Sequence, residues 1–250
     1  MPLHFVSKEQ QAAGNFNNGA ILENKPIGFP GEGGRIRPYS NLFYWAHAWT
    51  PSEESTIGLH PHQGFEIMSF VLKGEIEHYD TKLQAWRKLK QGDMQIIRAG
   101  NGISHSEKIL AESAIFQIWM DPNLRMTMHK PASYDDFPSA DFPVKKVDGM
   151  TVKTYKGEGS PLKMDTPGLE IIEMKIPAGK RILPFDKSKV FSGYLLEGQL
   201  KVGQNILEKD GFIIGSELDE IRFEAEVDST LFVIQSLSDV GYATYASIRR

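Results

Sequence analysis

Ser69-Phe70-Val71-Leu72-Lys73-Gly74-Glu75-Ile76 reads as a strand, a glycine turn and a second strand, and Gly193-Tyr194-Leu195-Leu196-Glu197-Gly198-Gln199-Leu200 repeats that layout in the second half of the chain. A second echo follows in the same order, Ala114-Ile115-Phe116-Gln117-Ile118 against Thr230-Leu231-Phe232-Val233-Ile234. A chain that carries one succession of elements twice, with loop lengths drifting between the copies, folds as a tandem pair of similar domains. At 250 residues each copy has enough chain to bury its own core. The echoing segments are short, apolar and rich in β-branched and aromatic residues, as are Phe65 to Leu72 and Met94 to Ile97. Stretches with apolar residues at i, i+3, i+4 and i+7 are scarce, and only Ser7 to Ala13 and the last residues suit a short helix. The expectation is an all-β protein with few short helices. Pro122 to Gly149 carries Pro131, Pro138 and Pro143 among polar residues, with no regular structure expected over Ser133 to Pro138. This divides the chain into a domain over 1–130, a linker over 131–149 and a second domain over 150–250.

The chemistry is narrowed by what is missing. The chain has no Cys, which excludes disulfides, zinc-thiolate fingers, iron–sulfur clusters and a cysteine nucleophile, so any metal must rest on His and carboxylates. A net charge of −4 is too balanced for an electrostatic grip on nucleic acid or an anionic membrane. No apolar stretch reaches the roughly 18 residues of a spanning helix, and the first residues lack a basic region followed by an apolar one. The expected setting is therefore soluble and cytoplasmic.

Three of the seven histidines fall in His60-Pro61-His62 and Ser104-His105-Ser106-Glu107. In a strand, residues i and i+2 point to one face about 6.6 Å apart. His60 with His62, and His105 with Glu107, can thus each present two ligands inward, making a four-ligand site. Three imidazoles and one carboxylate suit iron, copper, nickel or zinc better than magnesium or calcium. Gly100 and Gly102 are turn residues that would place His105. Glu66 has the parity of His60 and His62, but a straight strand carries it about 13 Å beyond His62, so it is left outside the ligand set.

The stretches HPHQGFE (60–66), FVLKGEIEHYD (70–80) and GDMQIIRAGNGISHSE (92–107) resemble the pirin family of two-domain cupins. The resemblance is detailed in the first half. In the second half it extends to layout, where FSGYLLEGQL (191–200) and FIIGSELDEI (212–221) take the places of strands. It implies a bicupin, two tandem antiparallel β-barrels of jelly-roll type, with a metal in the first barrel held by His60, His62, His105 and Glu107. It also implies non-haem Fe(II) as the ion, with Cu, Ni or Zn as alternatives, and quercetin 2,3-dioxygenase activity. A flavonol would chelate the metal, lose its hydroxyl proton to Glu107 and react with dioxygen to give a depside and carbon monoxide. The alternative is a metal- or redox-dependent regulatory protein with a protein partner, with a nuclear pool if the source is eukaryotic; a sugar-modifying or isomerase cupin ranks third.

The second half departs from this motif. No histidine follows His129, and the segment expected to hold ligands reads Arg181-Ile182-Leu183-Pro184-Phe185-Asp186-Lys187, so a structural or access-controlling role is expected there. His78 is read as a hydrogen-bonded strand histidine more readily than as one that approaches the cavity, and His47 as structural or, at most, behind the ligands. Phe43, Trp45, Trp49, Phe116 and Trp119 are read as core more readily than as a pocket for a planar substrate.

Overall fold

In the computed structural model, which describes residues 3–248, antiparallel strands dominate and the helices are single turns. No helix among these residues is long and apolar enough to cross a membrane. The chain forms two compact units. One is built from Gln11–Ser139, Lys163–Thr166 and the segment from Tyr242 onward, the other from the segment up to Gln10, Ala140–Leu162 and Pro167–Gly241.

The first of these holds a seven-stranded sheet in the order Ser133–Phe137, Met94–Arg98, Glu66–Lys73, Ala114–Met120, Leu42–Trp49, Ile21–Ile27 and Ala12–Phe16. Facing it is a four-stranded sheet ordered Ser55–His62, Ile103–Ile109, Glu75–Asp80 and Trp86–Lys90. The apolar core joins both, with Ile21, Val71 and Ile115 from the larger sheet packed on Ile76, Leu89 and Ile109 from the smaller. Met94–Arg98 and Glu66–Lys73 are buried along most of their length because strands flank them on both sides, whereas Trp86–Lys90, at an edge, buries only Leu89.

The second unit repeats the arrangement. Its seven-stranded sheet runs His4–Val6, Phe212–Ser216, Lys189–Glu197, Ser229–Leu237, Glu170–Ile176, Met150–Lys156 and Val144–Val147. Its four-stranded sheet runs Gly179–Pro184, Glu220–Ala225, Gln199–Val202 and Asn205–Glu208. The duplication reaches single atoms. Gly74 and Gly198 both hold positive φ, +70° and +85°. Beneath Gly74, Ser113 Oγ accepts from Glu75 N at 3.0 Å and donates to Ala111 O at 3.2 Å. Beneath Gly198, Ser229 Oγ accepts from Gln199 N at 3.2 Å and donates to Val227 O at 2.9 Å. A Cβ built on either glycine would stand 2.1 or 2.2 Å from that serine oxygen. Gly74→Ala and Gly198→Ala should therefore each cost about 2 kcal/mol or more, from the left-handed backbone and the displaced serine, measurable by urea denaturation.

Two local expectations are corrected. Ser7 to Ala13 is not a helix: a three-residue turn spans Lys8–Gln10, and a strand begins at Ala12 because its backbone pairs with Ile21–Ile27. Ser133–Phe137 is regular after all, paired with Met94–Arg98 as an edge strand and held by Arg98 Nη1, which donates to Asp135 Oδ2 at 2.7 Å and Ser133 Oγ at 3.2 Å. The flanking Pro131 and Pro138 fall just outside the ladder, where a missing N–H costs nothing.

Candidate metal centre

His60 lies directly opposite His105 in the ladder between Ser55–His62 and Ile103–Ile109, and His105 lies opposite Asp80 on the other side. A register shift between His105 and Glu107 occurs only on the side of Ser55–His62, so Glu107 pairs with Ile57 there and with His78 on Glu75–Asp80. Alternation along three neighbouring strands thus aims His60, His62, His105, Glu107, His78 and Asp80 to one face.

Three imidazoles converge there. His105 Nε2 lies 2.9 Å from His60 Nε2 and 3.0 Å from His62 Nε2. His60 Nδ1 sits 2.8 Å from Gly58 O, so Nδ1 carries the proton and Nε2 offers its lone pair. Three nitrogens this close cannot all be satisfied by hydrogen bonds to one another, while His105 Nδ1 is buried without a partner. Burial first, then the neighbouring imidazoles, pull His62 from the ordinary 6.5 down to about 3 and His105 down to about 2. Both rings are therefore in the unprotonated form that ligates metals. These donors fit a borderline divalent cation.

Glu107 is fully buried and joins the cluster through His105. The ligand atoms of His60, His62 and His105 lie within 4.8 Å of one another, as do those of His78, His105 and Glu107. Glu107 Oε1 accepts from Ser69 Oγ at 3.0 Å and Gln95 Nε2 at 3.4 Å, and Oε2 accepts from Gln117 Nε2 at 2.5 Å. His78 makes the expected strand contact, Nε2 at 3.2 Å from Asp80 Oδ2, and its ring stacks on Tyr134 at 4.7 Å. It is also drawn against His105 and Glu107, so both readings of His78 hold at once, the strand hydrogen bond and the approach to the cavity. Glu66 takes no part in either cluster. Its carboxylate, raised by burial, accepts from the backbone N–H groups of Asp165 and Thr166 and from Thr166 Oγ1, fastening the Lys163–Thr166 segment.

One wall of the centre is aromatic. The His62 ring meets Trp119 at 5.1 Å and Phe65 at 5.4 Å, and these two half-buried rings stack at 5.1 Å with 25° between planes. Phe65 was missed from the sequence because it directly follows a turn glycine. Trp45 and Phe116, by contrast, are fully buried and pack on each other, with Phe116 also against His47. Phe43 is core, packed edge-on against Phe65 and Trp119, and Trp49 packs on His47.

Counting strands from the matched glycines Gly74 and Gly198 gives the second unit's counterparts. Ile76 pairs with Ile109 as Leu200 pairs with Ala225, which sets Ile221 in the place of His105 and Phe223 in that of Glu107. Leu183, paired with Ile221, then stands for His60. All three are apolar and belong to that unit's core or pack on it.

The depressed imidazoles make a prediction for the metal-free protein. The unfolded chain binds protons at His62 and His105 near pH 6.5 while the folded one resists, so their contribution to stability is complete above pH 6.5 and is lost as pH falls toward about 3. The melting temperature should drop between pH 7 and pH 5, and His62→Gln with His105→Gln should flatten that slope in thermal melts.

Residues 35–120 match the Pirin family. A Zymomonas mobilis protein named "Putative quercetin 2,3-dioxygenase" is 26% identical over 238 residues, covering 79% of this chain and 96% of that protein. Human pirin is 28% identical over 175 residues, covering 66% of this chain and 60% of its own length. The solved structure of bacterial pirin YhhW from Escherichia coli, in complex with nickel(II), has a TM-score of 0.78 at 17% identity, covering 95% of this chain and 100% of that one. That last likeness is one of fold.

Proposed function

We propose that this protein, whose residues 35–120 match the Pirin family, is a metal-dependent dioxygenase that cleaves flavonols such as quercetin, with His60, His62, His105 and Glu107 as the ligands of one divalent ion, Fe(II) foremost. The observation that carries the reading is the convergence of three Nε2 atoms beside a half-buried aromatic wall. When bound, the ion supplies Lewis acidity toward the substrate's adjacent hydroxyl and carbonyl oxygens and a redox partner for dioxygen.

The chain's own residues do the rest. Phe65 and Trp119, stacked on each other next to His62, offer half-buried apolar surface against which a planar ring system can lie with its oxygens toward the imidazoles. Glu107 takes the hydroxyl proton, the step that makes the flavonol electron-rich enough for dioxygen. The depside and carbon monoxide together account for every atom of the flavonol and dioxygen.

The test is dioxygen uptake with quercetin by apoprotein reloaded separately with iron(II), copper, nickel and zinc. The expected result is uptake that requires a metal and vanishes in the His60→Ala, His105→Ala protein. Stoichiometric metal with no uptake under any of the four would contradict an oxygenase and favour the regulatory alternative.

A further inference from the structure

Ser69, Gln95 and Gln117 stand side by side across three neighbouring strands of the seven-stranded sheet. Ser69 pairs with Gln95 on one side and with Gln117 on the other. Each interrupts an apolar run, Ile67-Met68-Ser69-Phe70, Met94-Gln95-Ile96 and Phe116-Gln117-Ile118. Ser69 and Gln95 are 0% and 1% exposed. A polar row inside a sheet that otherwise buries hydrocarbon is costly unless its groups find partners. All three donate to one acceptor, the carboxylate of Glu107 on the opposite sheet.

The second unit provides an internal control. There Gly193 pairs with Ile213 on one side and Val233 on the other, in the register positions of Ser69, Gln95 and Gln117. Ile213 and Val233 belong to the apolar core. Where Phe223 replaces the carboxylate, the polar row is absent, so the row belongs to the site and not to the requirements of the fold.

We infer that Ser69, Gln95 and Gln117 are positioning residues that fix the orientation of Glu107, with Gln117 itself oriented by Trp119. The Trp119 indole can only donate, and its Nε1 lies 3.3 Å from Gln117 Oε1. That contact assigns Oε1 to the Trp119 side of the amide and turns Nε2 toward Glu107 Oε2. A residue of the aromatic wall is thereby tied through one amide to the carboxylate, so a ring settling on Trp119 bears on the orientation of Glu107. The inference rests on the reading of Glu107 as part of a metal centre.

Zinc titration of four proteins tests it: wild type, Gln117→Leu, Glu107→Gln and the double variant. The expected result is a loss of about 10–100-fold in zinc affinity from Gln117→Leu in the wild-type background, the usual consequence of removing a partner behind a ligand, and a loss under about threefold in the Glu107→Gln background. Equal losses in both backgrounds, or none in wild type, would overturn it. Should wild type bind no zinc, the functional reading falls, and crystal structures of Ser69→Ala and Gln117→Leu decide the positioning role separately. Rotation of the Glu107 carboxylate supports that role; an unmoved carboxylate removes it.

Discussion

His105→Ala should cost at least about 100-fold in metal affinity, read as metal retained after dialysis against a weak chelator. Loss of partners behind a ligand already costs roughly 10–100-fold in such centres, and the proposed function makes His105 a ligand itself. Its position makes the effect larger than for either neighbour. His60 Nε2 and His62 Nε2 both approach His105 Nε2, and the His78 and Glu107 cluster is joined to them through the same ring. Removing it breaks both groups at once, whereas His60→Ala leaves the His78, His105 and Glu107 group intact. The residue is also fully buried, so a melting curve should accompany the metal assay. His105→Gln, which fills more of the vacated volume, separates lost ligation from lost packing. Full metal retention by either variant would contradict the assignment.

Glu107→Gln should lower quercetin-dependent oxygen uptake by about 100-fold or more when assayed at saturating metal, beyond the loss of metal affinity that accompanies removal of the carboxylate. A positioned general base contributes roughly 10²–10⁴ to rate, and three histidines remain to hold the ion. The amide is close to the carboxylate in shape and can still accept through its oxygen, so Ser69 and one of the two glutamines keep a partner. What it cannot do is take up the substrate's proton. Unchanged turnover would remove Glu107 from the chemistry, and loss of metal in proportion to turnover would assign it to ligation alone.

Much of this was legible in the sequence because it is local. The two histidines of His60-Pro61-His62, and His105 with Glu107, show their common face through strand alternation, and the glycine-centred echo at Gly74 and Gly198 announces the duplicated fold, to which the structure adds the serine beneath each turn. What escaped depends on chain segments far apart. The Lys163–Thr166 segment is fastened by Glu66, a hundred residues earlier, through backbone N–H groups that no side-chain pattern reveals. His4–Val6 joins the sheet of the second unit, and Tyr245 meets Phe43 of the first, so neither end of the chain groups simply with its half. The row of Ser69, Gln95 and Gln117 did leave a trace, three polar residues inside apolar strands. Its meaning requires the register that aligns them and the carboxylate they face.

The central claim is that His60, His62, His105 and Glu107 together hold one divalent ion. X-ray absorption at the metal edge of iron(II)- or zinc-loaded protein measures this directly, because the outer atoms of imidazole rings scatter distinctively. The account predicts one ion per chain, three imidazoles in its shell plus oxygen, and one imidazole fewer in His60→Ala. A shell with fewer than three imidazoles in the wild-type protein, or one unaltered by His60→Ala, would contradict it.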